Sequence, residues 1–269
     1  TLFRSSNSPS TGLRFGGSTG TSIASGRGRA AFTSQTPKRL RVTVPRALLE
    51  AGAVDALSGD GGGNGHLQGI LSLEGQLNEN LSLQLSARAD GQIQRGGLPS
   101  LNELQLDYDE NWLRWEGEHL RLTAGTQRII WGRMDEASPT DRLSTRDFTR
   151  LILDDVADRR RASFAVRAEY RLAEGLFDFV YQPYFREAEF ADADSIWYPV
   201  DASEGKIVGL PLSTVEQEAL VGAALNEDFD GQEGFALRYN GSRNGFDFSL
   251  SAQRVNNPEP YFTLAGFTD

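Results

Sequence analysis

From residue 66 onward the chain alternates apolar and polar residues with a period of two, in runs roughly ten residues long. Successive side chains of a strand point to opposite faces, so such runs make strands with one apolar and one polar face. Leu71, Leu73 and Leu77 alternate with Ser72, Glu74 and Gln76. After Asn78-Glu79-Asn80 the pattern resumes with Leu81, Leu83, Leu85, Ala87 and Ala89 against Ser82, Gln84, Ser86, Arg88 and Asp90. Leu104, Leu106 and Tyr108 form a third run and Leu120, Leu122 and Ala124 its partner, with 110–118 read as the turn between them. Phe164 to Leu172 and Phe177 to Tyr181 make another hairpin about Ala173-Glu174-Gly175. Phe235 to Tyr239 and Phe246 to Ala252 make the last, about 241–245. Eight strands emerge, and the expected class is all-β and antiparallel.

Both a β-sandwich and a transmembrane β-barrel alternate in this way, and two features favour the barrel. Globular strands average five to six residues, whereas a tilted membrane strand needs about nine to eleven. The connections also sort by parity: turns at 78–80, 173–175 and 241–245 are short, while 132–161 and 184–232 are long. Short periplasmic turns opposite long extracellular loops are an outer-membrane pattern. Tyr108, Trp112, Trp115, Trp131, Tyr181, Tyr184, Trp197 and Tyr239 lie near strand ends, as an interfacial girdle would. The polar face would then line a lumen with Glu74, Arg88, Asp90, Glu103, Asp107, Arg121, Arg167, Glu169, Arg171, Asp178, Arg238 and Asp247. A rigid cross-strand ion-pair ladder is the simpler role for any single one of these charges.

Composition narrows the chemistry. Across 269 residues, 27 Lys+Arg face 37 Asp+Glu, for a net charge of −10, with no Lys/Arg-rich run. That balance argues against a nucleic-acid partner. With no Cys, thiolate metal sites are excluded, and two separated histidines, His66 and His119, nearly exclude a His-built one. No stretch approaches the ~18 apolar residues of a transmembrane helix. Residues 1–65 read as a Ser/Gly-rich leader with a short helix over about 45–57, opened by Pro45 and stopped by Gly59. The barrel is expected over 66–255, with 256–269 as a loop or the start of another strand. Gly16-Gly17-Ser18-Thr19-Gly20 matches a nucleophile-elbow pattern but lacks the flanking strand and helix it needs.

Two loops carry further expectations. Residues 133–161 hold seven Arg and seven acidic residues, including Arg133, Asp135, Asp141, Arg146, Asp147, Asp154, Asp155, Arg159 and Arg160. Arg forks grip carboxylates in bidentate geometry, so this loop, entered through Trp131, is expected to fold inward as a constriction. Seven against seven also suggests pairing within the loop, and a merely solvated, structurally braced loop is the alternative. Asn226, Asp228 and Asp230 before Gly231 reproduce the first half of a calcium loop. Leu237 stands where the bidentate Glu belongs, with Glu233 as a substitute and Asp192 and Asp194 as further contributors, so an ordinary acidic turn is the simpler expectation. Paired acids such as Asp107/Asp109 lack the aromatic cleft signals of a glycosidase, and an enzyme is not expected.

The segment Gly125-Thr126-Gln127-Arg128-Ile129-Ile130-Trp131-Gly132-Arg133, followed by Ser138-Pro139-Thr140-Asp141 and the stretch Asp154-Asp155 to Asp158-Arg159-Arg160, is the most distinctive. It resembles a Gram-negative outer-membrane family known as domain of unknown function thirteen-zero-two, whose strand ends in a Gly-Arg-Gln-hydrophobic-hydrophobic-Trp-Gly motif. Thr126 stands where that family has Arg, and Tyr181-Gln182-Pro183-Tyr184-Phe185 is similar to its Trp-x-Pro-x-Phe stretch. The resemblance implies a porin-like channel in the cell outer membrane, contacting lipid and lipopolysaccharide and passing a small or amphipathic solute. It also implies a link with other envelope transport proteins. The chain ends Gly266-Phe267-Thr268-Asp269 without the aromatic terminal residue of such barrels, so it reads as the N-terminal part of a larger barrel. The alternative class is a secreted β-sandwich binding carbohydrate or calcium.

Overall fold

The computed structural model describes residues 41–55, 62–96, 99–132, 140–150, 154, 159–201, 203–221 and 231–260. The principal strands are β1 (Arg41–Asp55), β2 (Gly63–Gln76), β3 (Leu81–Arg95), β4 (Leu101–Tyr108), β5 (Asn111–Glu116) and β6 (Leu120–Gln127). They continue, after the two-residue β7 (Asp147–Phe148), with β8 (Ser163–Leu172) and β9 (Gly175–Gln182). The short β10 (Glu189–Phe190), β11 (Val200–Asp201), β12 (Lys206–Ile207) and helix α1 (Thr214–Leu220) precede β13 (Gly234–Arg243) and β14 (Phe246–Arg254). One ten-stranded sheet runs in the order β1-β2-β3-β5-β6-β8-β9-β13-β14, with β4 also pairing β3. Each strand pairs antiparallel with its neighbour. The sheet is therefore a meander, all-β with one short helix. Its outer strands β1 and β14 do not pair with each other, so the described strands form an open sheet and no closed barrel.

Side-chain exposure runs opposite to that of a sheet with a dry core. Leu67, Leu71, Leu85, Leu104, Leu106, Leu122, Val166, Phe179, Leu237 and Leu250 are exposed; Leu106 reaches 77%. The buried residues of the same strands include Asn64, Gln68, Ser72, Gln94, Thr123, Gln127, Ser163, Asp178 and Gln182. The covered face is polar and the bare face is apolar.

Two sequence expectations fail, each for a local reason. Residues 45–57 are not a helix: 41–55 form strand β1, paired along its length with β2. Ala47, Leu49, Ala51 and Ala53 join the apolar face in register with Leu71, Gly69, Leu67 and Gly65. Ala and Leu favour helices, but pairing overrides that weak preference. The register slips between Thr43 and Arg46, which places Pro45, with no N–H to donate, in an irregularity of an outer strand. The leader boundary at 65 moves accordingly, since the sheet already includes 41–55. The supposed turn 110–118 is mostly strand β5, and the real turn is 117–119, closed by Gly117 N–H to the Leu120 carbonyl at 2.8 Å.

Strands β4 and β5 are two halves of one path along β3. Ala87 faces Tyr108 but Leu83 faces Leu113, so one extra residue is accommodated at Asp109–Glu110. A one-residue bulge reverses which parity points outward. That is why Leu104, Leu106 and Tyr108 share the apolar face with Leu113 and Trp115. Opposite the bulge, Gly125 has φ +133, and a Cβ there would lie 2.2 Å from the Asn111 carbonyl oxygen, so only glycine fits.

The connections sort by side more cleanly than expected. Turns at 77–80, 117–119, 173–174 and 244–245 occupy one end of the sheet; the strand ends joined through 56–62, 96–100, 128–162 and 183–233 lie at the other. The last of these was expected to be an unbroken loop over 184–232, yet it carries β10, β11, β12 and α1. Helix α1 opens on a capping box between Ser213 and Glu216.

Candidate functional site

The two longest connections fold back over the polar face. Residue pairs far apart in sequence fix them there: Gln92 Nε2 donates to Ser195 Oγ at 2.7 Å, Gln94 Nε2 to the Asp194 carbonyl at 2.7 Å, and Trp197 Nε1 to Asn64 Oδ1 at 3.1 Å. On the other side Gln182 Nε2 donates to the Leu143 carbonyl at 2.8 Å and Gln253 Nε2 to the Thr140 carbonyl at 2.9 Å. A small apolar cluster of Ile129, Trp131, Leu143, Ala165, Val180 and Ala236 seals the junction. The described parts of loop 128–162 thus lie against the polar face.

Its arginines and acids pair both with the sheet and among themselves. Arg88 on β3 holds Asp90 at 2.5 Å and Asp147 of the loop at 2.6 Å. Arg150 reaches Glu50 on β1 at 3.1 Å and also pairs with Asp154. Arg146 pairs with Glu259 at 2.8 Å, and Arg160 with Asp141. Asp107 on β4 receives both Arg161, at 3.2 Å, and Arg186. Arg159 is buried within the same layer. Arg133, Asp135 and Asp155 lie outside the described residues, as do Asn226, Asp228 and Asp230 of the calcium reading. Glu233 is exposed and accepts a hydrogen bond from the Tyr181 hydroxyl at 3.1 Å. Among the described residues no group of three or more His, Cys, Asp and Glu is placed to hold a metal ion.

Further toward the short turns lies a second cluster, centred on Asp178 of β9, which is fully buried. Arg167 grips it in a fork, Nε to Oδ1 at 2.8 Å and Nη2 to Oδ2 at 2.7 Å. Arg238 Nη2 adds a contact at 3.2 Å and the Trp131 indole N–H another at 2.9 Å. Glu169 stands directly opposite Asp178 in the register, an arrangement of like charges that repels. Arg167, 3.3 Å from Glu169, lies between them and makes the pair tolerable. Arg121 continues the network to Glu169 at 3.5 Å and Glu116 at 2.7 Å. Of the lining residues expected from sequence, Arg88, Asp90, Arg121, Arg167, Glu169 and Arg238 are joined in these networks. Glu74 is half-buried and Arg171 exposed on the same face, neither in an ion pair among the described residues.

Below the loop, toward the short turns, a hollow of about 990 Å³ opens between Trp131, Arg238, Asn240, Asp247, Ser249 and Ser251. The aromatic girdle needs correction here. Trp112 and Trp131, 5% and 6% exposed, are buried on the polar face, and Trp197 bonds there too. Tyr108, Trp115 and Tyr184 stay exposed on the outside. Outward rings also stack across strands, Tyr181 on Phe235 at 4.8 Å and Phe177 on Tyr239 at 4.7 Å.

Asp154 gives the loop a dependence on pH. Burial pushes its carboxyl up to about 6, with Asp147 adding to the rise and Arg150 opposing it. Between the unfolded value of 3.8 and about 6 the docked loop holds a proton that a released loop does not. Docking is therefore expected to weaken as pH rises through that window. Protease cleavage within 128–162, followed from pH 4 to 6, should rise with pH in the native chain. In Asp154→Asn the rise should flatten; an unchanged slope would assign it to another group.

Glu50, Arg114, Arg128, Arg186 and Glu189 also belong to this layer and were not anticipated. Glu50 was assigned to a helix, and Arg114 to a turn although it alternates visibly between Leu113 and Trp115. Arg128, Arg186 and Glu189 lie where no periodicity marks a face. No protein-family model, no curated protein and no solved structure matches the chain.

Proposed function

We propose that this chain forms the wall of an outer-membrane channel of a Gram-negative bacterium, passing small polar or amphipathic solutes along its charged inner face. One observation carries the reading: the sheet covers its polar face and leaves its leucines, valines and phenylalanines bare. A sheet surrounded by water gains by hiding that apolar face; one surrounded by lipid gains by presenting it. Strands of eight to fifteen residues suit a bilayer crossing, counting β4 and β5 as halves of one path. The division of short turns from long loops, and the outward rings of Tyr108, Trp115 and Tyr184, agree with it. Unpaired backbone groups cost several kcal/mol each in hydrocarbon, so β1 and β14 must be closed by further strands of a larger barrel. Loop 128–162, resting on the inner face, acts as the constriction.

The full-length protein should need detergent for extraction, shift its gel mobility on boiling, and conduct in planar bilayers. Recovery as a soluble monomer with nothing in the membrane fraction would remove the reading. Deleting 138–155 should enlarge single-channel conductance, whereas unchanged conductance would place that loop outside the passage.

A further inference from the structure

The inner face carries one cross-strand rung whose composition differs from the rest. In register, Ser82 of β3 faces Arg114 of β5, Arg114 faces Thr123 of β6, and Thr123 faces Arg167 of β8. Two guanidiniums and two hydroxyls stand in line with no carboxylate among them. The next rung toward the short turns reads Glu116, Arg121, Glu169, Asp178 and Arg238, and its acids are already taken. Arg121 holds Glu116, and Arg167 leans out of its own rung to hold Asp178 and Glu169. Arg114 is left over. Its Nε donates to Thr123 Oγ1 at 3.3 Å and its guanidinium lies over the buried Trp112 ring at 3.9 Å. Among the described residues no carboxylate comes within ion-pair distance of it; Glu74 and Glu169 act on it only from further away.

We propose that this rung is an anion-binding station, with Arg114 as its principal group, and that the channel favours solutes bearing a carboxylate or a phosphate. The transport half rests on the channel reading; the binding half does not. The chemistry follows from the side chains. A guanidinium offers a planar fork of donors matched to two oxygens of such a group. The indole beneath keeps that plane fixed and favours the cation. Ser82 and Thr123 add hydroxyls on either side, and Arg167 adds positive potential although its own fork is engaged.

The test uses the full-length protein in detergent micelles, titrated with sodium phosphate and, separately, sodium acetate, against sodium chloride of equal ionic strength. At about ten times Kd, phosphate should raise Tm by about 2–4 °C. Arg114→Gln should abolish the rise, and Arg114→Lys, which keeps the charge but not the fork, should reduce it. Arg243→Gln, at an exposed turn, should retain it. No rise in the native protein, or an equal rise in both Arg114 variants, would overturn the station. In planar bilayers the native channel should prefer chloride over potassium, and Arg114→Gln should move the permeability ratio toward one. A phosphate-dependent Tm without any conductance would discard the channel and keep the anion site. Conductance with an unaltered ratio and no Tm effect in Arg114→Gln would discard the site and keep the channel.

Discussion

Asp178→Ala is expected to destabilise the chain by about 3–5 kcal/mol, the scale for removing one partner of a buried charge cluster. The carboxylate is fully buried and satisfies Arg167 through two bonds, Arg238 through one and the Trp131 N–H through another. Its loss leaves two guanidiniums and an indole facing each other, with Glu169 the acid next in line among the described residues. Arg167 can swing toward Glu169 from its present 3.3 Å, whereas Arg238 is left with its bond to the Trp131 carbonyl at 3.3 Å and the Trp131 N–H loses its acceptor. Trp131 is also where loop 128–162 enters the inner face, so part of the cost is the loop's release. Asp178→Asn keeps the shape and one acceptor and should fall between. Urea midpoints of the protein refolded in lipid, followed by tryptophan fluorescence in a variant whose other tryptophans are replaced by Phe so that Trp131 alone reports, measure both effects. A loss under about 1 kcal/mol would mean that the cluster relaxes around the gap, and that Asp178 does not hold the loop.

Leu237→Arg separates lipid from water as the solvent of the apolar face. Leu237 is 45% exposed near the middle of β13, directly opposite Phe179 in the register. If water bathes that face, the change is an ordinary surface substitution worth within about 0.5 kcal/mol either way. If lipid does, an arginine at mid-depth costs about 2–4 kcal/mol, falling to about 0–1 near the interface. Phe246, beside the short turn 244–245, is the matched position for that shallow case. Refolding free energies in lipid vesicles should therefore show a large loss for Leu237→Arg and a small one for Phe246→Arg. Equal, small losses at both would count against the membrane and would leave an exposed apolar sheet with no solvent to suit it.

How much of this was legible depends on how local each cause is. The alternation of Leu71, Leu73, Leu85 and their partners announces strands because the two-residue period is a property of each segment alone. The inner face, and hence the company of Arg88, Arg167, Glu169 and Arg238, follows from the same parity. Ser213 and Glu216, three residues apart, also spell out their capping box within a short window. Strand β1 was not legible: its Ala and Leu content reads as helix until β2 is beside it. The bulge at Asp109–Glu110 hid strand β5, because a single extra residue shifts the parity that the eye follows.

By itself, then, the sequence determined the class of element, the two faces of each strand and the division between turns and loops, all of which arise within short windows. Only the tertiary structure decided which charges meet. Asp107 with Arg186, Arg88 with Asp147, and Trp131 with Asp178 join segments with no common period, and an arginine has many acids within reach of its chain. Which one it takes is set by where the loops come to rest on the sheet. The same arrangement brings no acid among the described residues within ion-pair distance of Arg114.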